Sequence, residues 1–110
     1  MITTHVLDTA RGVPAAGVPV ALARVSAAGA EEIGRASTDA DGRVRDIGPP
    51  RLEPGTYRLT FSTGQYLAAN QAAPAFFPEV TVTFTVDGQA PHYHVPLLLS
   101  PFGFATYRGS

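Results

Sequence analysis

Thr81-Val82-Thr83-Phe84-Thr85-Val86 alternates without a fault: Val82, Phe84 and Val86 take one face and three threonines the other. An extended chain sends successive side chains to opposite sides, so this period of two reads as a strand with one buried and one wetter face. Outward from it the same grammar repeats. Ten Pro and eleven Gly in a chain of 110 residues punctuate short β-rich runs, which is the pattern of an all-β sandwich or barrel. The runs fall near Thr3–Asp8, Val18–Val25, Glu32–Thr38, Gly55–Ser62, Glu79–Val86, His92–Leu99 and Phe102–Arg108, with a short one at Val44–Ile47. Only Gln65–Gln71 reads as helix, about two turns long, and Pro74 stops it from running further. Arg11-Gly12-Val13-Pro14 and Glu53-Pro54-Gly55 read as turns, in which Pro fixes φ and Gly permits positive φ. Asp39-Ala40-Asp41-Gly42 is a further turn; as a calcium loop it would need an acidic last ligand where Gly48 stands.

Size and composition bound the function. At this length the expectation is one domain spanning residues 1–110, with no second domain to close over a substrate. A deep site must therefore lie within the sandwich or between subunits. The net charge is −1 and the eight Lys and Arg are scattered, which argues against a nucleic-acid or anionic-membrane surface. No apolar run approaches the ~20 residues that span a bilayer. There is no Cys, so disulfides and thiolate metal sites are excluded and the redox compartment stays open. The segment from Met1 to Val6 enters a strand-like pattern at once, without a basic stretch followed by an apolar one. The expectation is a cytoplasmic protein without a secretory signal.

The chemistry is suggested by the faces of three strands. In His92–Leu99, Tyr93, Val95, Leu97 and Leu99 form a core face, whereas His92, His94, Pro96 and Leu98 share the other. In the last strand Phe102, Phe104 and Thr106 oppose Gly103, Ala105 and Tyr107; in the first, Val6 opposes His5 and Leu7. With Val6, Val95, Leu97, Phe102 and Phe104 inward, His5, His94 and Tyr107 point outward beside Leu7 and Leu98. An outer face of that composition calls for a second subunit to cover it. All three histidines of the chain lie on these outward stripes. Taken singly, each would be an ordinary surface residue; together they suit two chemistries. Three His plus water is a known catalytic zinc set, and neutral imidazole is a metal-free general base. Spacing leaves both open. No Gly-x-Ser-x-Gly elbow and no glycine-rich phosphate loop is present.

Six segments stand out in order: Thr4-His5-Val6-Leu7-Asp8, Asp41-Gly42-Arg43, Gly55-Thr56-Tyr57-Arg58 and Phe77-Pro78-Glu79-Val80. The run from His92-Tyr93-His94-Val95-Pro96 through Leu97-Leu98-Leu99-Ser100-Pro101 follows, and then Tyr107-Arg108-Gly109-Ser110, the most specific mark. Together they resemble the 5-hydroxyisourate hydrolases of the transthyretin-like family. The resemblance implies a transthyretin-like sandwich of two four-stranded sheets with one short helix. It also implies a homotetramer, a dimer of dimers with its active sites in a channel between dimers. No metal or other cofactor is implied. The implied activity is hydrolysis of 5-hydroxyisourate to 2-oxo-4-hydroxy-4-carboxy-5-ureidoimidazoline in urate degradation.

By motif match the substrate-binding residues are His5, Arg43, Tyr107 and Arg108, and the catalytic set is His5, Arg43, His94 and Ser110. His5 and His94 are candidates for positioning and deprotonating the attacking water. Arg43 would hold the substrate's carbonyls and a developing oxyanion, and its charge would keep a nearby imidazole neutral. Tyr107 and Ser110 would donate hydrogen bonds or shuttle a proton. Against these stand blander roles: a solvated turn residue for Arg43, subunit packing for Tyr107. His92 shares the stripe as a supporting residue. Beside the hydrolase stand a carrier of a small aromatic ligand in the same channel, and a structural sandwich module.

Overall fold

In the computed structural model, residues 1–70 and 74–110 are described. Ten strands and one helix follow in order: β1 Ile2–Asp8, β2 Val13–Pro14, β3 Pro19–Ser26, β4 Gly29–Ser37, β5 Arg43–Ile47, β6 Gly55–Phe61, α1 Thr63–Asn70, β7 Val80–Val86, β8 Tyr93–His94, β9 Leu97–Ser100 and β10 Gly103–Thr106. One sheet is antiparallel in the order β4-β3-β6-β7. Its best-defined strand is β7, where Val80 and Val86 are buried, Val82 and Phe84 half-buried and the threonines exposed, as the alternation requires.

The second sheet is built around β1. Along one edge β1 pairs in parallel with β8 and then β9; along the other it pairs antiparallel with β5 and with the two residues of β2. Strand β10 closes the far side against β9. The six segments thus run along four lines. Two differ from the sequence reading for identifiable reasons. Val13–Pro14, expected as part of a turn, is a short extended pair to Leu7 and Asp8, while Gly12 alone takes the left-handed conformation at φ 71°. The expected single strand His92–Leu99 is interrupted at Val95-Pro96, because Pro96 has no N–H to give to a ladder. The freed carbonyls are satisfied by side chains: the Thr4 hydroxyl donates to the Val95 carbonyl at 2.6 Å and that of Thr106 to the Pro96 carbonyl at 2.7 Å.

The core lies between the sheets. Ile2, Val6, Leu97 and Leu99 from one meet Val20, Leu22, Tyr57, Leu59 and Phe61 from the other, all buried. Complete burial of a side chain of this kind contributes roughly 1.5–3 kcal/mol. The inward expectation for Phe102 and Phe104 needs correction. Phe102 is 74% and Phe104 43% exposed: Phe102 lies in the turn between β9 and β10, and β10 is the edge strand of its sheet. Phe104 rests on Phe77, their ring centroids 5.2 Å apart.

Helix α1 begins two residues earlier than expected, and its expected last residue, Gln71, lies outside the described residues. The Thr63 hydroxyl donates to the Phe77 carbonyl and the Gly64 N–H to that of Pro78, so the first turn is tied to the segment that enters β7. The helix is also anchored to β1. Tyr66 donates to the buried Asp8 carboxylate at 2.7 Å, and Arg11 donates to the Tyr66 oxygen and to the Asn70 side chain. Removing a buried partner of a charged acceptor costs about 1.5–3 kcal/mol. Tyr66→Phe should accordingly lower stability by about that much, measured by urea unfolding, with the circular dichroism of the native state unchanged.

Candidate active site

The outer face of the β1 sheet brings together three of the residues that the motifs single out, His5, Arg43 and His94. Strand registers place them: His5 on β1 stands directly across from Arg43 on β5, and Thr3 stands directly across from His94 on β8. A strip therefore runs over three adjacent strands, Arg43–His5 at one end and Thr3–His94 at the other. The turn before β5 holds Arg43 in place. Gly42 sits at φ 75° and its carbonyl accepts the Val6 N–H, and a Cβ at Gly42 would collide with the Val6 carbonyl oxygen. The Asp39 carboxylate accepts the N–H groups of Asp41 and Arg43, which accounts for a carboxyl held below the usual range. This is the hydrogen-bonding economy of a turn, not of a calcium loop.

A cleft of about 450 Å³ opens on this face, bordered by Thr3, Arg43, Arg45, His92, His94 and Ser110. Arg45 spends its charge on Asp39 and Asp41. Arg43 forms no salt bridge among the described residues, so its guanidinium is available to an incoming polar group. His5 lies beside the cleft, and its Nε2–H donates to the Asp41 carbonyl at 2.9 Å. In the neutral ring this leaves Nδ1 as its basic atom.

His94 is half-buried, and its surroundings favour the neutral form. Burial pushes its pKa below the ordinary histidine value, and the charge of Arg43, then His92 and His5, pushes it further the same way. Its Nδ1 lies 2.8 Å from the Thr3 hydroxyl, and His92 Nε2 lies 2.6 Å from that same oxygen. Thr3 went unnoticed in the sequence. The available signal was its place two residues before His5 on the same outward face. Gly109 presses on the other side of the ring. Its N–H donates to the His94 carbonyl at 2.8 Å, and a Cβ there would collide with the Cδ2 edge of the imidazole. The glycine of the final tetrapeptide thus permits the tail to lie flat against His94.

The structure divides that tetrapeptide. Ser110 borders the histidine cleft, whereas Tyr107 and Arg108 border a neighbouring one of about 240 Å³ between the tail and β7, with Val82, Phe84 and Tyr93. The Arg108 guanidinium stacks 5.2 Å from the centre of the Tyr93 ring. His94 borders both clefts. The imidazoles do not meet at a point: two turn towards Thr3 and the third towards Asp41. Among the described residues no group of three or more His, Asp or Glu side chains is placed to hold a metal ion.

Comparison with known proteins accords with this architecture. Residues 2–109 match the HIUase/Transthyretin family. The chain is 48% identical over 113 residues to the 5-hydroxyisourate hydrolase of Deinococcus radiodurans, covering 99% of this chain and 95% of that one. To the mouse (Mus musculus) 5-hydroxyisourate hydrolase it is 43% identical over 112 residues, covering 99% and 94%. Solved structures share its fold. Klebsiella pneumoniae 5-hydroxyisourate hydrolase superposes with a TM-score of 0.86 at 36% identity, covering 99% of this chain and 98% of that one. Transthyretin from Sparus aurata superposes with a TM-score of 0.89 at 30% identity, covering 98% and 95%. The chain belongs to the HIUase/Transthyretin family.

The electrostatic coupling between Arg43 and His94 is open to measurement. Arg43→Gln removes a positive charge that disfavours the imidazolium, so the His94 pKa should rise towards the ordinary histidine value. NMR titration of the ring checks the direction. A depressed pKa keeps the neutral ring present to lower pH. The acid limb of any rate that needs it should therefore move to higher pH in the variant.

Proposed function

We propose that the chain hydrolyses 5-hydroxyisourate to 2-oxo-4-hydroxy-4-carboxy-5-ureidoimidazoline by general acid/base catalysis without a metal, in the degradation of urate. It is a hydrolase of a cyclic amide, and its substrate is a small molecule. One observation carries the reading: a half-buried imidazole, disposed to stay neutral, lies in one cleft with a guanidinium that forms no salt bridge among the described residues. A ligand carrier with no reaction to perform has no use for that pair. The hydrolases named above, similar over almost the whole chain, support the same reading. The cytoplasm is the compartment we assign to it.

In this reading His94 accepts a proton from water as the water oxygen attacks an amide-type carbonyl carbon of the six-membered ring. The carbonyl oxygen gains negative charge, and Arg43 is placed to stabilise it, an effect commonly about 2.7–4 kcal/mol for one donor. His5 positions the water or substrate through Nδ1. The ring's C–N bond then breaks, and the departing nitrogen takes up a proton from His94. Ser110, at the border of the same cleft, donates a hydrogen bond or passes that proton. Tyr107 and Arg108 bind substrate from the adjoining cleft. His94→Asn should preserve the fold and lower turnover roughly 10²-fold or more, read by the ultraviolet decay of freshly generated 5-hydroxyisourate. Near-normal turnover in a correctly folded variant would remove His94 from the mechanism.

The same reading includes a homotetramer, with the cleft walled by a second copy. On this face Leu7 and Leu98 are direct partners across β1 and β9 and are half-buried, continuing the strip of site residues. Packing them against a symmetry mate buries the apolar groups and excludes water from the cleft. Lower local polarity would strengthen the contacts of Arg43 and the imidazoles with substrate. Leu98→Arg should break the tetramer towards dimers and abolish turnover without unfolding the sandwich. Light scattering, circular dichroism and the isourate assay on one sample decide it. A dissociated, folded and fully active variant would count against the channel.

A further inference from the structure

Thr3 Oγ1 meets two imidazole nitrogens, His92 Nε2 at 2.6 Å and His94 Nδ1 at 2.8 Å. The residue is buried, and β1 fixes it directly opposite His94. A hydroxyl has one proton to donate. Were both nitrogens bare, one lone pair would confront an oxygen lone pair at hydrogen-bond distance. One ring must therefore present an N–H to Thr3. The two contacts are complementary when Thr3 donates to His92 Nε2, at 2.6 Å, and accepts from His94 Nδ1–H, at 2.8 Å.

We propose that Thr3 is a positioning residue that holds neutral His94 in its Nδ1–H tautomer, with His92 as the acceptor that aims the Thr3 hydroxyl. Which nitrogen of a histidine carries the proton is set by the partner of the other. With Nδ1–H committed to Thr3, the lone pair of His94 is on Nε2, the nitrogen that no hydrogen bond occupies among the described residues. When Nε2 takes up a proton, the Nδ1–H bond to Thr3 becomes charge-assisted and strengthens. The charge forms on His94; no proton needs to cross Thr3. The other titratable or charged groups facing the ring are Arg43 from β5, His5 from β1 and His92 next to β8, and all three oppose that charge. Thr3 counters them twice, through a backbone hydrogen bond that favours the charged ring and through its hydroxyl oxygen 2.8 Å from Nδ1. This gives His92 a task at one remove: it orients Thr3 and touches no substrate.

The kinetic part of this assignment rests on the hydrolase reading, whereas the tautomer does not. The test uses wild type, Thr3→Val and Thr3→Ser at a pH where His94 is neutral. Nitrogen-15 NMR of the rings reads the tautomer, and isourate decay reads kcat and KM. Expected are a protonated Nδ1 and bare Nε2 on His94 in wild type and Thr3→Ser, and a shift towards Nε2–H in Thr3→Val. In Thr3→Val, kcat should fall about 10- to 100-fold, the usual scale for losing a group that orients a working imidazole, with KM little changed. Thr3→Ser should restore most of it. Thr3→Val keeps the branched shape of the side chain, so circular dichroism should be unaltered. A wild-type His94 protonated on Nε2 would overturn the assignment, as would a Thr3→Val protein with unchanged tautomer and kcat. The expected tautomers in proteins that leave isourate intact would uphold it and overturn the substrate instead.

Discussion

Parallel pairing between β1 and the chain from Tyr93 to Leu99 joins residues about ninety positions apart, and the site depends on it. Parallel neighbours cannot be linked by a tight turn, so nothing local enforces the alignment. What fixes it is burial. Ile2 and Val6 alternate with Thr3 and His5, and Tyr93, Val95 and Leu97 alternate with His94 and Leu98. A slip of one residue would turn a core face outward. The correct register therefore brings Thr3 beside His94 at no separate cost in specificity. The Thr4 hydroxyl, held by the Val95 carbonyl, pins the same alignment at the point where Pro96 interrupts the ladder.

On the outer side of that alignment, basic groups accumulate, and the nearest carboxylates are bound mainly elsewhere. Arg43 and the three histidines occupy one small region, while the nearby Asp39 and Asp41 engage Arg45. Partial burial of His94 opposes protonation of its ring, and the charges of Arg43, His92 and His5 oppose it further. The consequence is chemical. A ring kept neutral is competent to accept a proton, and the guanidinium beside it, which forms no salt bridge among the described residues, favours negative charge on whatever enters the cleft. Neither property needs a metal in order to operate.

The outward stripe was legible from period two alone, because β1 and the Tyr93–Leu99 segment each bury one face completely. The family was legible from motifs spread over the whole chain, and the comparisons support it. Less was legible at edges. Phe102 and Phe104 alternate like core residues, but alternation says which side a residue takes, not whether anything covers it there. Val13–Pro14 is too short for any period to show. The split of Tyr107 and Arg108 from Ser110 was invisible as well, since adjacent positions in a motif carry no information on which of two clefts each side chain borders. Thr3 was missed for a different reason: a threonine in a strand is ordinary, and its meaning arises only from a pairing partner near the other end of the sequence.

The interrupted line β8–β9 has a consequence for biosynthesis. Every strand of the β4-β3-β6-β7 sheet lies between Pro19 and Val86, so that sheet has all its members once the ribosome has passed that point. β1, though made first, has until then only β2 and β5 as partners; its other edge waits for Tyr93 onward, and the His94 ring waits for Gly109. The hydrogen-bonding groups of that edge are exposed throughout elongation, in a strand that must eventually sit at the centre of a sheet. Exposed edges of this kind invite pairing with other chains. The residues that assemble the site last are thus also the ones that end the nascent chain's exposure to misassembly.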